Sequence, residues 1–307
     1  MMKRKTFLQS GLAVAGLSLL PDAVSASGPA KKSLRFAFIS DIHVKPGAAP
    51  EAGMRKAIQH LQNLRPRVDF VINGGDSIMD ALAATKESAQ KQWELYHSIM
   101  DRENKLPLYP CIGNHDIYGW FQKTPQPADP LYGKNWAVKE LKMTNRYYHF
   151  KKGNWNFLVL DSTQQNPAGG YIAKIDVEQL SWLANKLGEI PSSEYICMVS
   201  HIPILSICAG LFFGKTEANG DLMVKRNLMH SDFYTLKAIF NQHPNIKACL
   251  SGHIHLQDEV HYLGIDYYCN GAISGNWWGG PFFEFAPAYA VFEFFEDGTT
   301  KREMVNY

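Results

Sequence analysis

The chain carries almost no excess charge of either sign: 31 Lys and Arg face 29 Asp and Glu, a formal +2. Loss of residues 1–26 would remove Lys3, Arg4, Lys5 and Asp22 and bring the remainder to zero. A neutral chain has no polyelectrolyte drive to grip long nucleic acid, which argues against a nucleic-acid duplex as partner. Cysteine is scarce. Five residues, an odd number without zinc-ribbon spacing, exclude complete internal pairing. Cys111, Cys197 and Cys249 lie in apolar runs and read as small buried hydrophobes, whereas Cys208 and Cys269 fall nearer loops, where pairing in an oxidising compartment stays open. Long hydrophobic runs are missing too: the most apolar stretch near the N-terminus, residues 11–20, is well short of the roughly 20 residues a membrane span needs. Internal repeats and low-complexity tracts are absent.

That N-terminal stretch instead has the layout of an export signal. A basic start (Lys3, Arg4, Lys5) precedes the apolar run, and Val24-Ser25-Ala26 supplies a small-residue cleavage site. Arg4-Lys5-Thr6-Phe7-Leu8 resembles the twin-arginine export motif with Lys in place of the second Arg, and general secretory export is the other route. Both lead to an exported, periplasmic protein. The expected organisation is a signal at residues 1–26, a linker at 27–33 and one catalytic domain at 34–307, a length that forms a single α/β domain. Nothing in the sequence sets the oligomeric state.

What the sequence does contain is a regular alternation of strand and helix. Residues 34–40, 68–73, 108–112, 195–199 and 246–250 are short, apolar and rich in β-branched or aromatic side chains, the pattern of buried strands. Residues 51–64, with Met54, Ala57, Ile58, Leu61 and Leu64 at helical spacing, and residues 81–101 read as helices. A hairpin is expected over 146–160, a helix over 177–187 with Asp176 as its N-cap, and another over 232–241. Residues 124–145, with three prolines, read as a loop over the site, and 205–230 as a lid. After His255 the pattern turns to strands alone, which two packed sheets with flanking helices accommodate.

Metal-ligand side chains follow each buried strand: Asp41-Ile42-His43, Gly75-Asp76, Gly113-Asn114-His115-Asp116, His201 before Ile202-Pro203, and Gly252-His253-Ile254-His255. Loops leaving the C-terminal ends of strands in layered α/β folds converge on one edge, where sites are built. Two imidazoles two residues apart aim at one locus when the chain turns sharply at a preceding glycine. Carboxylate, amide and imidazole donors without thiolate suit manganese, iron or zinc. Two cations about 3.5–4 Å apart share an anionic ligand, and a single carboxylate spans them.

In this order the motifs resemble the calcineurin-like metallophosphoesterase family, from Leu34 to Gly271. The resemblance implies a four-layer α/β/β/α sandwich and a centre of two divalent or trivalent metal ions. By motif position, Asp41, His43, Asp76 and His255 would hold the first ion, and Asp76, Asn114, His201 and His253 the second, with Asp76 bridging. It further implies hydrolysis of a small-molecule phosphoester by a metal-bridging hydroxide, with Asn114 and His115 on the phosphate, His115 as proton donor to the leaving oxygen and Asp116 orienting its ring. Purple acid phosphatases carry a Tyr ligand three residues after the bridging Asp; Met79 stands there, and His43 resembles the ligand of bacterial cyclic-nucleotide phosphodiesterases. A phosphodiester is therefore favoured over a monoester, and a non-hydrolytic metal-binding module is the reading from another class. The Gly-rich stretch 271–280 resembles a segment of secreted members, and Trp277 and Trp278 within it are candidates for stacking on substrate. Lys225 and Arg226 are candidates for reaching a phosphate oxygen.

Overall fold

In the strand Lys32–Ile39 alternation sends Phe36 and Phe38 into one core and Ala37 and Ile39 into another. The computed structural model describes residues 31–307; the expected export signal lies outside them. Two sheets result. One has the order Thr300–Asn306, Ala288–Phe295, Lys32–Ile39, Phe70–Asn73, Leu108–Pro110, its last three strands parallel. The other runs Asp258–Tyr262, Ile265–Cys269, Ile246–Ser251, Tyr195–Ser200, Trp155–Leu160, Tyr148–Lys152, with the inner four parallel and both edges antiparallel.

The sheets face each other across an aromatic core. Phe36 stacks on Phe70 at 4.9 Å and meets Phe157 of the opposite sheet edge-on at 5.5 Å. Each such fully buried ring contributes about 1.5–3 kcal/mol relative to exposure. Helices Ala48–Gln62 and Lys86–Glu103 cover the outer face of the first sheet, and Val177–Glu189 and Phe233–Phe240 that of the second. This is the expected α/β/β/α sandwich. No helix among the described residues is long and apolar enough to cross a membrane.

Local chemistry moves some boundaries. The helix expected from Ala81 starts at Lys86, because Thr85 caps it by accepting from the Ser88 amide at 3.2 Å, while Ala81 is held in a turn by the His115 carbonyl. Asp176 caps its helix as expected, accepting from Gln179 N at 2.9 Å. Residues 124–145 do not cover the site. They contain the helix Asn135–Glu140, whose buried Trp136 packs edge-on against Tyr118 at 5.0 Å and anchors the segment in the outer core. Cys208 and Cys269 are both buried free thiols, donating to the carbonyls of Gln257 and Gly252.

Candidate metal centre

Parallel pairing brings the C-terminal ends of five strands to one edge, and the motif loops leave from those ends. The loops are tied to one another through the backbone: Asp41 N donates to Gly75 O, His43 N to Asp76 O and Gly252 N to His201 O, each at 3.0 Å. Asp41, His43, Asp76, His253 and His255 all adopt left-handed backbone conformations, with φ between 47° and 74°. Non-glycine residues rarely sit there, and such strain clusters at functional sites.

Two motif glycines have a spatial reason. A Cβ on Gly113 would stand 2.1 Å from the backbone nitrogen and Oδ1 of Asp76, and one on Gly252 would stand 2.4 Å from Asp41 Oδ2. Each glycine lets a second loop approach a carboxylate.

Two clusters of donors form, Asp41, His43 and His255 on one side and Asp76, His201 and His253 on the other. Asp76 Oδ2 lies 3.6 Å from His43 Nε2 and 3.2 Å from His201 Nε2, so one carboxylate oxygen serves both. Asn114 Oδ1 approaches His201 Nε2 at 3.1 Å, and His255 Nε2 stands 3.5 Å from Asp41 Oδ1. All the ligands expected from the sequence are thus gathered in one place.

Backbone carbonyls set the ring tautomers. His255 Nδ1 donates to Gly275 O at 2.5 Å, His201 Nδ1 to Gly74 O at 2.9 Å, and His253 Nε2 to Asn227 O at 2.8 Å. In each neutral ring the remaining nitrogen turns its lone pair inward. His255 Nε2 then faces His43 Nε2 at 3.0 Å, and His253 Nδ1 faces His201 Nε2 at 3.3 Å, beside two buried carboxylates. Electron-pair donors packed this closely repel unless cations or protons lie between them. The residues therefore fit two metal ions.

The electrostatics agree. Burial holds His43 well below its ordinary range and, with repulsion from His201, pushes His253 down to about 3. At His201 burial also opposes charge, but the Asp76 carboxylate outweighs it and raises the ring to about 9. Without metal, a proton on His201 Nε2 takes part of a cation's place.

His115 sits above Asp76, its amide donating to Asp76 Oδ1 at 2.7 Å, and its ring meets His43 edge-on at 4.8 Å. Its Nδ1 is buried without a partner. Asp116 does not orient it. The Asp116 carboxylate points the other way and accepts from the amides of Ser77 and Gly113 at 2.9 Å, joining two motif loops.

Two cavities open onto these donors. A small one of about 170 Å³ lies directly over them, walled by Trp277, Phe282, Phe213 and Ile254. A larger cleft of about 800 Å³ adjoins it, and Asn114, His115 and Tyr171 line both. The two tryptophans part company. Trp277 packs on His255 at 4.4 Å and walls the small cavity, whereas Trp278 turns away, donating its indole N–H to His43 O at 3.0 Å and covering Gly53, where a Cβ would clash with its ring at 2.1 Å. Trp278 is a structural residue because that ring fills a helix surface kept bare for it. Lys225 and Arg226 line the large cleft, as do Phe121 and Tyr171. The aromatic pair carried no motif; the only signal was Gly169-Gly170 before Tyr171, a bare stretch of backbone.

Known proteins resemble the chain in sequence and in fold. A 3′,5′-cyclic-nucleotide phosphodiesterase of Nostoc sp. strain PCC 7120 is 26% identical over 291 residues, 90% of this chain and 94% of its own. The 3′,5′-cyclic adenosine monophosphate phosphodiesterase CpdA of Escherichia coli K12 is 24% identical over 188 residues, 60% of this chain, which spans just over half (58%) of that relative. Among solved structures, a dimetal phosphatase from Danio rerio superposes with a TM-score of 0.62 at 14% identity, covering 90% of this chain and all of its own, a likeness of fold. Residues 34–257, the stretch that carries every motif loop, match the calcineurin-like phosphoesterases, and the chain belongs to that family of metal-dependent phosphoric ester hydrolases.

Proposed function

We propose that the enzyme hydrolyses a small cyclic phosphodiester. The observation that carries this is the division of space around the donors. At about 170 Å³ the small cavity falls below the roughly 300–1,000 Å³ of pockets that take whole ligands, so it suits two cations and a phosphoryl group but not a nucleoside-sized arm. The organic part must then occupy the large cleft that adjoins it. An acyclic diester of two large alcohols needs space for two arms; in a cyclic diester both ester oxygens belong to a single arm. The similarity to the Nostoc cyclic-nucleotide phosphodiesterase over nearly the whole of both chains supports the same choice. A monoester also has one arm and is the second reading.

In this proposal Asp41, His43, His255 and the shared Asp76 hold one ion, and Asp76, Asn114, His201 and His253 the other. When bound, the ions supply Lewis-acid stabilisation of phosphoryl charge and lower the pKa of water. The chain's own residues do the rest. Asn114 and His115, on the border between the cavities, bind the phosphoryl oxygens, and His115 delivers a proton to the alcohol oxygen departing towards the large cleft. The apolar walls of Trp277, Phe213 and Phe282 limit water and strengthen these interactions. The export reading of residues 1–26 belongs to the same proposal, and periplasmic fractionation tests it.

The test is a substrate panel after reconstitution with manganese, zinc or iron: a 3′,5′-cyclic nucleotide, bis-nitrophenyl phosphate and nitrophenyl phosphate. The cyclic ester should have the highest kcat/KM relative to its leaving-group reactivity. A clear preference for the monoester would establish the second reading, and no turnover of any ester by protein holding two ions would overturn hydrolysis altogether.

A further inference from the structure

The large cleft has a built aromatic wall that the reaction itself does not use. Phe121 and Tyr171 lie nearly parallel, with ring centroids 5.9 Å apart and planes 18° from each other. Tyr171 is half-buried and reaches the border of the metal cavity, standing edge-on to His253 at 6.3 Å. Phe121 lies farther out and is 45% exposed, an apolar ring left facing the cleft. Beneath them the floor is bare backbone: a Cβ on Gly170 would touch the Phe121 ring at 3.6 Å, and one on Gly169 would touch nothing. Beside Tyr171 the segment ending in Arg226 and Asn227 is pinned, Arg226 O accepting from Ala173 N at 2.7 Å and Asn227 O accepting from His253. The polar lining is therefore fixed next to the aromatic faces, and it includes Asn166 and Arg226.

We infer that this cleft is a subsite for a flat heteroaromatic base, with Phe121 and Tyr171 as its stacking platform. An alkyl arm would use the apolar faces but not the polar lining, and a bare sugar would use the polar lining but leave Phe121 exposed. A heteroaromatic ring has π faces for the one and hydrogen-bonding edges for the other. The volume of about 800 Å³ is within the range of sites for ligands of nucleoside size and larger. The inference rests on the proposed reaction for its substrate, since the phosphoryl end is placed by the metal centre. It adds the group that selects the substrate at the far end.

The experiment compares the holoenzyme with its Phe121→Ala variant on adenosine 3′,5′-cyclic phosphate and on an abasic ribose 3′,5′-cyclic phosphate, and measures adenosine binding to both proteins by calorimetry. A stacking contact is worth about 1–3 kcal/mol, so the variant should lose roughly 5- to 150-fold more kcat/KM on the base-bearing ester than on the abasic one, with adenosine affinity falling by a similar factor. Phe121→Trp should retain the base preference. Equal losses on both esters, or adenosine affinity untouched by Phe121→Ala, would overturn the subsite. The arms separate the two readings. Adenosine binding that depends on Phe121 without turnover of either ester would sink the proposed reaction and keep the subsite; turnover of both esters at equal KM without adenosine binding would do the reverse.

Discussion

Gly113→Ala tests whether the spacing of the ligand loops, as well as the ligands themselves, makes the metal centre. The added methyl would lie 2.1 Å from both the backbone nitrogen and Oδ1 of Asp76, and 3.0 Å is the shortest separation real Cβ atoms show. The two loops must therefore part by about 1 Å, and neither can yield by rotating a side chain, because the obstructing atoms include backbone. Overpacking of this kind costs about 1–3 kcal/mol. At roughly 2–4 °C per kcal/mol for chains of 150–250 residues, the melting temperature should fall by several degrees. The larger effect should be on function. Metal–ligand distances tolerate about 0.2 Å, and a misplacement of about 1 Å near a reacting centre costs on the order of 10²-fold in rate. Elemental analysis should find fewer than two ions per chain, with turnover reduced about 100-fold. The control is Gly188→Ala on the helix Val177–Glu189, where a Cβ meets nothing within 4 Å; it should stabilise by about 0.4–1 kcal/mol. A Gly113→Ala protein with two ions, full turnover and an unchanged melting temperature would show that the loops have slack the structure does not suggest.

Three further outcomes follow from particular contacts. His115→Ala should keep both ions yet lose about 10²- to 10⁴-fold on a cyclic nucleotide, whose alkoxide needs a proton, and much less on a nitrophenyl ester; equal loss on both, with chemistry rate-limiting, would refute the general-acid role. Trp278→Ala should lower the melting temperature by removing the bond to His43 O and the cover over Gly53, whereas Trp277→Ala, at a 40% exposed ring, should change it little; the reverse ranking in a thermal scan would contradict this division. Metal loading of the apoprotein at pH 7.5 should release about one proton, because His201 is raised to about 9 and is protonated there, while His253, lowered to about 3, is not. The His201 share of the release should fall away as pH rises through about 9, on top of any proton lost by metal-bound water, and calorimetry in buffers of different ionisation enthalpy reads it. The same sign gives the apoprotein a His201–Asp76 contribution to stability that is full below pH 6.5 and lost as pH rises through about 9.

The ligands were legible because each follows an apolar strand run within a few residues. A run such as 246–250 announces its own end, and Gly252-His253-Ile254-His255 comes within a residue or two of it, so parallel pairing carries the motif to the site. The cleft was not legible in this way. Phe121 and Tyr171 are fifty residues apart, in segments too short for periodicity to show, and meet because Tyr171 belongs to a short hairpin beside the ligand edge. Asp116 illustrates a second limit: its neighbour His115 suggested a side-chain partner, but consecutive residues in a tight turn point apart, and Asp116 satisfies backbone amides instead. Trp136 hid a helix among prolines for a third reason, since six residues are too few for a periodic pattern to stand out.

The stretch 271–280, whose two tryptophans the sequence offers for stacking on substrate, has a part in holding the centre together. Five ligand residues in left-handed conformations cost about 1–3 kcal/mol each, a sum comparable with the whole stability of a typical domain. Something must offset it, and the offsets are visible at two of the strained residues. Asp41 O accepts from both the backbone nitrogen of Ser274, at 3.1 Å, and its hydroxyl, at 2.7 Å, while His43 O accepts the indole N–H of Trp278. Gly275 O fixes the His255 ring from the same segment. The chain thus clamps the backbone and ring orientation of one cation's ligands through its own hydrogen bonds. Ions entering such a site need not order the loops themselves, and binding energy that a floppy site would lose to ordering remains available for holding two positive charges close together.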